Sequence, residues 1–307
     1  MAKKLLIVVV LVLLVSVFLY VAFPEVLFRL ATGLERRSAG LSEGSVVVDD
    51  HTIAYLEGGE GETILLVHGF GMNKDYWNRF AKYLTPSFHV VVVDLPGFGE
   101  STKREDATYA IAVQADRLNA FAQALSLGAF HVAGSSMGGN ISGRYAVRFP
   151  DKVLSLGLFN TAGVVHCPEK SEMDRRLERG ENPLLVETPE DFDATIAFVF
   201  VEPPWFPEPV KKIMASEWIR NRAFNEKVFN EIMGEGSSLE PDLEKIEART
   251  LILWGDTDRL LHVSCTEVLK AGLKDSTTVI MKDCGHVPMM ERPEETARHY
   301  TEFLAGR

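Results

Sequence analysis

Two adjacent serines lie among glycines in the stretch HVAGSSMGGN, residues 131–140. A glycine stands two positions before and two positions after Ser136, which fits G-x-S-x-G, a sharp turn from strand to helix that exposes the serine. Centring the pattern on Ser135 would put Ala133 and Met137 where a side chain collides with neighbouring backbone. The register predicts that Ser136 is the nucleophile and Ser135 a small polar neighbour, with a glycine-rich turn as the alternative.

A serine hydroxyl is a weak nucleophile near neutral pH, so it needs a general base and an acid that orients that base. Of the eight histidines, His286 in MKDCGHVP follows the last predicted strand, at the sheet edge where α/β proteins place their sites. Asp258 in TLILWGDTDRLLH is the expected acid, and Asp256 is interpreted as a turn residue. The order Ser136, Asp258, His286 agrees with that of one large hydrolase fold.

Other polar residues near the predicted strand ends are weaker candidates. Asp283 lies too near His286 along the chain to face it, and Asn160 stands at an alternative acid position without a charge. His68 also follows a strand, but its neighbours suggest another role. His262 is a candidate for contact with a substrate. The remaining histidines are interpreted as surface or capping residues: His51, His89, His131, His166 and His299.

A glycine-rich bend, HGFG at residues 68–71, follows the third predicted strand. Acyl transfer develops negative charge on the carbonyl oxygen, and hydrogen-bond donors must be aimed at that oxygen in the transition state. The backbone N–H groups of Phe70 and Met137 are the expected pair of donors. An ordinary strand-to-helix turn is the alternative, and the joint presence of Ser136, Asp258 and His286 argues against it.

The elements that must position these residues alternate between strands and helices. SVVVDD and TIAYLE predict a hairpin, and continuous apolar runs predict strands buried on both faces of a parallel sheet. These runs are TILLVHG, HVVVVDLPG, AFHVAG, VLSLGLFN, TLILWG and STTVIMKD. One-sided apolar stripes between them predict helices. The pattern predicts an α/β fold, a mostly parallel eight-stranded sheet with helices on both faces and a core at residues 45–160 and 249–307.

One long connection breaks this alternation. Residues 161–248 contain no convincing buried strand but several amphipathic segments, and so long a connection is normally a functional lid. We expect a helical cap inserted after the sixth strand. Five of its aromatic residues are candidates for an acyl-chain entrance, and packing in the core is an equal alternative. They are Phe198, Phe200, Trp205, Phe206 and Trp218.

The start of the chain differs in composition from the rest. No charged residue occurs from Leu5 to Pro24, and a helix of about 20 residues spans a hydrocarbon core of about 30 Å. Residues 1–30 are therefore predicted to be a transmembrane anchor, followed by a polar linker at residues 31–44. A cleaved signal peptide is the alternative, although its apolar region is usually about 7–15 residues long.

The side of the membrane is not fixed by charge. Lys3 and Lys4 on one side of the apolar segment face Arg29, Arg36 and Arg37 on the other, so the positive-inside rule nearly cancels. We expect a single-helix anchor in a bacterial inner membrane, with the catalytic domain on the periplasmic side.

Charge and cysteine content exclude other classes. The formal net charge of -11 argues against nucleic acid as a partner, because phosphate binding needs a basic face. The three scattered cysteines, Cys167, Cys265 and Cys284, indicate neither a disulfide framework nor a zinc site, and we interpret them as core or surface thiols. The proposed chemistry requires no metal and no organic cofactor. The oligomeric state is left open.

Taken together, HGFGMNKDYW, VDLPGFGEST, GSSMGG, WGDTDRLLHVS and CGHVPMMERPEETA, with the apolar N-terminal segment, resemble the α/β-hydrolase family over residues 45–307. Within that family the chain is similar to membrane-anchored monoacylglycerol lipases and related bacterial lipases. The resemblance implies Ser136, Asp258 and His286 as catalytic residues and Phe70 and Met137 as oxyanion donors. Relatives that dehalogenate alkanes or open epoxides carry aspartate at the elbow, so Ser136 argues against both activities.

The expected function is a serine esterase or lipase that acts on carboxylic esters of fatty acyl chains, with monoacylglycerols as the first substrate to test. Two alternatives remain. Hydrolases that cleave carbon–carbon bonds of ring-fission products share a similar G-x-S-M-G-G elbow, and a non-catalytic protein of the same fold would bind a ligand or partner. An intact nucleophile, base, acid and oxyanion bend speak against a pure binding protein.

Overall fold

The computed structural model describes residues 4–6 and 23–306. Within these residues no helix is both long and apolar enough to cross a bilayer. Most of the predicted anchor, residues 1–30, lies outside the described part of the chain. The predicted linker differs from the structure: helix α1 (Pro24–Ser38) runs into it, and strand β1 begins at Ser42.

The buried Arg36 attaches this segment to the domain, so the segment is not a free linker. Its guanidinium donates two hydrogen bonds, of 2.6 and 2.7 Å, to the carboxylate of Asp75, and it also pairs with Glu43. A fork of two parallel bonds to a carboxylate fixes geometry as well as adding energy. The charges that suggested a polar linker therefore fasten the end of α1 to the domain.

Eight strands form one sheet in the order β1-β2-β4-β3-β5-β6-β7-β8. β2 pairs antiparallel with β1 and with β4, and the other neighbours pair in parallel. The strands are β1 (Ser42–Val48), β2 (His51–Gly58), β3 (Thr63–Val67), β4 (His89–Val93), β5 (Phe130–Ser135), β6 (Val153–Phe159), β7 (Thr250–Gly255) and β8 (Ser276–Met281). The predicted α/β class and the mostly parallel eight-stranded sheet are confirmed.

Helices cover both faces of this sheet. Alternate residues of β3 point to opposite faces, so Leu65 and Val67 belong to one apolar cluster and Ile64 and Leu66 to the other. The first cluster is covered by α3 (Ile111–Ala124), α4 (Met137–Arg148) and α9 (Cys265–Gly272), and the second by α2 (Asn78–Ala81), α10 (Pro288–Glu291) and α11 (Pro293–Leu304).

The strand order creates a switch point beside β3. The chain leaves β3 for β4 on one side and later returns to β5 on the other, so loops at the carboxyl ends of β3 and β5 diverge. Open α/β sheets bind their ligands in the crevice at such a point. The bend at Phe70 follows β3 and Ser136 follows β5, which brings both to this crevice.

Residues 161–248 form helices and no strand. They contain α5 (Glu172–Leu177), α6 (Pro189–Val199), α7 (Glu208–Arg220), α8 (Arg222–Ile232) and a 3₁₀ turn (Glu240–Lys245). Ser171 and Thr188 each cap a helix through a reciprocal pair of hydrogen bonds with an aspartate three residues later. Val186, Phe192 and Ala215 form a small apolar cluster of their own. These connecting residues are thus a layer of helices with its own local core.

The prediction of three free thiols is wrong. Cys167, just before α5, forms a disulfide with Cys265 at the start of α9, and only Cys284 is a free, buried thiol. The two bonded cysteines are 98 residues apart in sequence, so their spacing gives no sign of the pairing. The bond ties the beginning of the cap to the core.

Candidate active site

Ser136 occupies the turn between β5 and α4 in a strained conformation. Its φ of 54° and ψ of -120° lie in a region that non-glycine residues rarely adopt. The turn is held from both sides, because the Ser136 N–H donates to the carbonyl of Phe159 at 3.0 Å and its own carbonyl accepts from Ala162 N–H at 3.0 Å. The side chain is partly exposed in a stretch that is otherwise buried.

The glycines around the elbow are required by close backbone contacts. A Cβ at Gly134 would lie 2.1 Å from the carbonyl oxygen of Gly138, and a Cβ at Gly138 would lie 2.3 Å from the carbonyl oxygen of Val67. No side chain fits at either position. Ser135 is fully buried, and its hydroxyl has no hydrogen-bond partner among the described residues.

The structure brings His286 and Asp258 together in a buried hydrogen bond. Nδ1 of His286 lies 2.7 Å from Oδ2 of Asp258, and the two residues are 2% and 5% exposed. The other carboxylate oxygen, Oδ1, accepts from the N–H groups of Leu260 and Leu261 at 2.8 and 3.1 Å. A carboxylate acceptor keeps the proton on Nδ1 and leaves Nε2 free to accept one, which is what a general base needs.

Asn160, the uncharged residue at the alternative acid position, belongs to this site in a role that the sequence did not predict. Its side-chain Nδ2 donates to Oδ2 of Asp258 at 2.7 Å, and its backbone N–H donates to Leu253 at 2.9 Å. It is fully buried, with a φ of 43°. Asn160 follows β6 and carries no charge, and only the fold shows that its amide holds the carboxylate oxygen that faces His286.

The bend after β3 lies against the elbow. A Cβ at Gly69 would be 3.2 Å from the Cβ of Ser136. The ring of Phe70 packs edge-on against Phe229 of the cap at 5.6 Å between centroids. Among the described residues the backbone N–H groups of Phe70 and Met137 donate to no protein acceptor. Two unused donors beside a serine are what an oxyanion would require.

Four of the candidate substrate residues lie in different surroundings. Phe198 is 3% exposed, and the guanidinium groups of Arg176 and Arg259 each lie 4.8 Å from its ring centroid. Trp205 is 80% exposed and Phe206 is partly exposed. His262 is partly exposed, and its Nδ1 lies 2.9 Å from the hydroxyl of Ser264.

A groove of about 790 Å³ runs between α1 and α7 and reaches the glycine-rich bend at Gly71 and the adjacent Met72. Gly71 lies so close to the cap that a Cβ there would be 2.8 Å from the ring of Trp218. The apolar part of its wall includes Phe28, Phe206, Ile213, Met214 and Trp218. Of the candidate aromatics of the cap, Phe206 and Trp218 line this groove.

Comparison with known proteins places these features in a family. Residues 64–299 match the model of the alpha/beta hydrolase family. The chain is 37% identical to Lipase 3 of Moraxella sp. (strain TA144) over 281 residues, covering 91% of this chain and 87% of that protein. It is 31% identical to monoacylglycerol lipase ABHD6 of Rattus norvegicus over 300 residues, 94% of this chain and 89% of that one.

Among solved structures, a membrane phospholipase A described as a bacterial virulence factor superposes with a TM-score of 0.91 at 50% identity, covering 100% of this chain and 99% of that one. The match thus extends over the cap as well as the sheet. The fold, the order of the motifs and the extent of these matches agree, and the chain belongs to the alpha/beta hydrolase family.

Proposed function

We propose that this chain hydrolyses carboxylic esters of fatty acyl chains through an acyl-enzyme intermediate on Ser136. The observation that carries the proposal is the buried 2.7 Å hydrogen bond between Asp258 and His286, on the same sheet edge as the strained elbow. A binding protein needs no buried carboxylate and imidazole on the same sheet edge as a partly exposed serine. Burial of such a pair is costly unless both groups are used or fully bonded.

The chemistry follows from the positions of these groups. His286 Nε2 takes the hydroxyl proton of Ser136 as Oγ attacks the ester carbonyl, and the N–H groups of Phe70 and Met137 hold the oxyanion. His286 then gives the proton to the departing alcohol, which leaves the acyl group on Ser136. A water molecule repeats the sequence, releasing the fatty acid. Asp258 keeps the imidazole in one tautomer throughout.

Monoacylglycerols are the first proposed substrates. The relatives named lipase and monoacylglycerol lipase support a lipid ester, and so does the apolar wall of the groove that ends at the oxyanion bend. Glycerophospholipids are the second candidate, because the solved structure that is 50% identical over the whole chain is named a membrane phospholipase A. Both substrates pair a fatty acyl ester with a polar alcohol.

The same proposal includes a membrane anchor in residues 1–30, on the composition of residues 5–24. The disulfide between Cys167 and Cys265 supports an extracytoplasmic catalytic domain, since disulfides persist in oxidising compartments. A lipid hydrolase on the periplasmic side of a bacterial inner membrane would meet substrates that partition into the bilayer.

The proposed activity is tested with a fluorophosphonate probe and a panel of substrates. We expect labelling of wild type and of Ser135→Ala, the matched neighbour, and none of Ser136→Ala. We expect turnover of monoacylglycerols or glycerophospholipids and of p-nitrophenyl esters with long acyl chains. A preference for short chains would contradict the lipase assignment. Turnover of a vinylogous diketone and of no ester would favour a carbon–carbon hydrolase, and absence of labelling would favour a binding protein.

The anchor is tested by deleting residues 1–22, which leaves α1 and its contact with Asp75 intact. We expect the full chain to leave membranes only with detergent and the shortened chain to be extracted in buffer with its ester turnover retained. Extraction of the full chain by salt alone would contradict the anchor. A C-terminal alkaline phosphatase fusion should be active in cells, and an inactive fusion beside an active cytoplasmic reporter would contradict the periplasmic side.

A further inference from the structure

His68 is a buried histidine that the proposed chemistry leaves without a role. It directly follows β3 and is 0% exposed. Its Nε2 lies 3.0 Å from the backbone N–H of Leu95, and its Nδ1 lies 2.8 Å from the carbonyl oxygen of Gly69. Both ring nitrogens therefore have backbone partners, one at the start of the oxyanion bend and one beyond the end of β4.

These two partners determine where the imidazole proton lies. The Leu95 N–H is only a donor, so Nε2 must be the unprotonated nitrogen. The proton is then on Nδ1, and the ring donates it to the carbonyl of Gly69. Burial is the largest cause that lowers the pKa of His68, which keeps the ring neutral near neutral pH. Phe98 packs edge-on against the ring at 5.4 Å between centroids, which limits its rotation.

The Gly69 carbonyl belongs to the peptide unit that carries the Phe70 N–H. A trans peptide is planar, and its C=O and N–H point in opposite directions. A hydrogen bond that fixes the Gly69 carbonyl toward His68 therefore fixes the Phe70 N–H away from it. Met72 N–H also donates to that carbonyl, at a longer 3.3 Å. Gly69 itself borders Ser136, so the direction of this peptide matters to the site.

We propose that His68 is a positioning residue for the oxyanion hole. Its neutral imidazole donates a hydrogen bond to the Gly69 carbonyl and thereby orients the Phe70 N–H toward the developing oxyanion. The inference rests on the proposed function, because an oxyanion forms only if Ser136 attacks a carbonyl. His68 transfers no proton and touches no substrate. Its contribution appears in the transition state, where loss of one oxyanion donor typically costs about 10²–10³ in rate.

The test compares His68→Asn and His68→Gln with His131→Asn. His131 is a matched control, a buried histidine near the amino end of β5 whose Nδ1 lies 2.8 Å from the Ser155 hydroxyl, at the opposite edge of the sheet. For the His68 variants we expect kcat on a long-chain ester to fall about 10–100-fold with KM changed by less than about threefold. Inhibition by a trifluoromethyl ketone, which forms a tetrahedral adduct on serine, should weaken by a similar factor. Inhibition by a non-hydrolysable ether analogue should not change.

Equal weakening by the ketone and the ether, or a kcat within about twofold of wild type in folded variants, would overturn the inference. A variant that fails to fold leaves the tautomer of the wild-type enzyme as the second measurement. Nitrogen-15 NMR of labelled histidine should show His68 protonated on Nδ1 alone from pH 6 to 8, and a proton on Nε2 would overturn the proposal. A wild type inert toward all esters would instead contradict the proposed function. The NMR measurement would then still test the hydrogen bond from His68 Nδ1 to the Gly69 carbonyl.

Discussion

The carboxyl edge of the sheet and the cap that lies over it are built on different principles. At the edge, Asp258 and His286 are at most 5% exposed, and the polar groups that orient the Asp258 carboxylate come from loops that follow strands. In the cap, Trp205 is 80% exposed, and the contacts with the core include the disulfide, the ion pair between Arg259 and Glu172 and a hydrogen bond from the His286 N–H to the carbonyl of Val199.

The proposed function accounts for the difference between the two regions. General acid–base chemistry tolerates little misplacement, so its residues belong on rigid strand ends. A cover for an acyl chain needs only an apolar lining and a secure attachment, so many arrangements of residues serve. We therefore expect changes at the edge to alter kcat and changes in the cap to alter stability or KM.

The largest effect should come from Asp258→Asn. The substitution replaces one carboxylate oxygen with an NH₂ group that cannot accept from its N–H partners, and it removes the charge that fixes the His286 tautomer. We expect kcat to fall by about 10⁴-fold with little change in KM. Steady-state kinetics on a long-chain ester measure it, with Asp256→Asn as the matched control. A loss of kcat of less than tenfold would show that catalysis does not depend on the Asp258 carboxylate.

The next effect concerns how the cap is attached. Replacing Cys167 and Cys265 together with serine removes a crosslink that spans 98 residues. The chain-entropy relation gives a loss of about 4–5 kcal/mol in the free energy of unfolding. We expect a lower denaturation midpoint, with kcat nearly unchanged while the protein is folded, because the crosslink joins none of the proposed catalytic residues. Free Cys284→Ser is the control. A large loss of kcat in the folded double variant would mean that the cap positions the chemistry.

Substitutions of two cap aromatics should distinguish a role in packing from a role in guiding acyl chains. Phe198→Ala leaves a cavity between Arg176 and Arg259 and should cost about 3–5 kcal/mol of stability. Trp205→Ala removes an exposed side chain and should change stability by less than about 0.5 kcal/mol. If Trp205 guides acyl chains, its variant raises KM for long-chain esters and leaves short-chain esters unchanged. Equal stability losses in both variants would contradict the assignment of Phe198 to packing and of Trp205 to the exposed surface.

The smallest effect is a pH dependence at the attachment of the cap. Hydrogen bonds from Arg259 are the largest cause that lowers the pKa of Glu172 to about 2. Because the folded-state pKa is depressed, the stabilisation is fully present above the unfolded pKa of about 4.3 and is lost as the pH falls toward 2. The Tm difference between wild type and Glu172→Gln should therefore shrink across this range. Glu178→Gln, which removes an exposed pair with Lys170, is the control. A difference that grows on acidification would contradict the assignment.

Much of the core could be predicted because its signals are local. Apolar runs in the sequence predicted the strands. The glycines around Ser136 predicted the sharp turn, because a Cβ at Gly134 would lie 2.1 Å from the backbone. The fold class is confirmed. The roles of Ser136, Asp258 and His286 remain predictions, supported by one short hydrogen bond and a strained turn.

What could not be predicted depends on contacts between distant parts of the chain. Cys167 and Cys265 gave no spacing signal, and Asn160 needed the sheet to bring it 2.7 Å from Asp258. The helix in the expected linker depends on Arg36 reaching Asp75, 39 residues away. In each case the bond joins the residue to a partner that only the tertiary structure brings close.

The most direct test of the central account is to trap the acyl-enzyme. Wild-type protein mixed with p-nitrophenyl dodecanoate is quenched in acid within the first turnovers and digested, and its peptides are analysed by mass spectrometry. We predict one dodecanoyl group on Ser136, absent in Ser136→Ala and present in Ser135→Ala. Product release with no acyl group on Ser136, or with the group on another residue, would contradict the account.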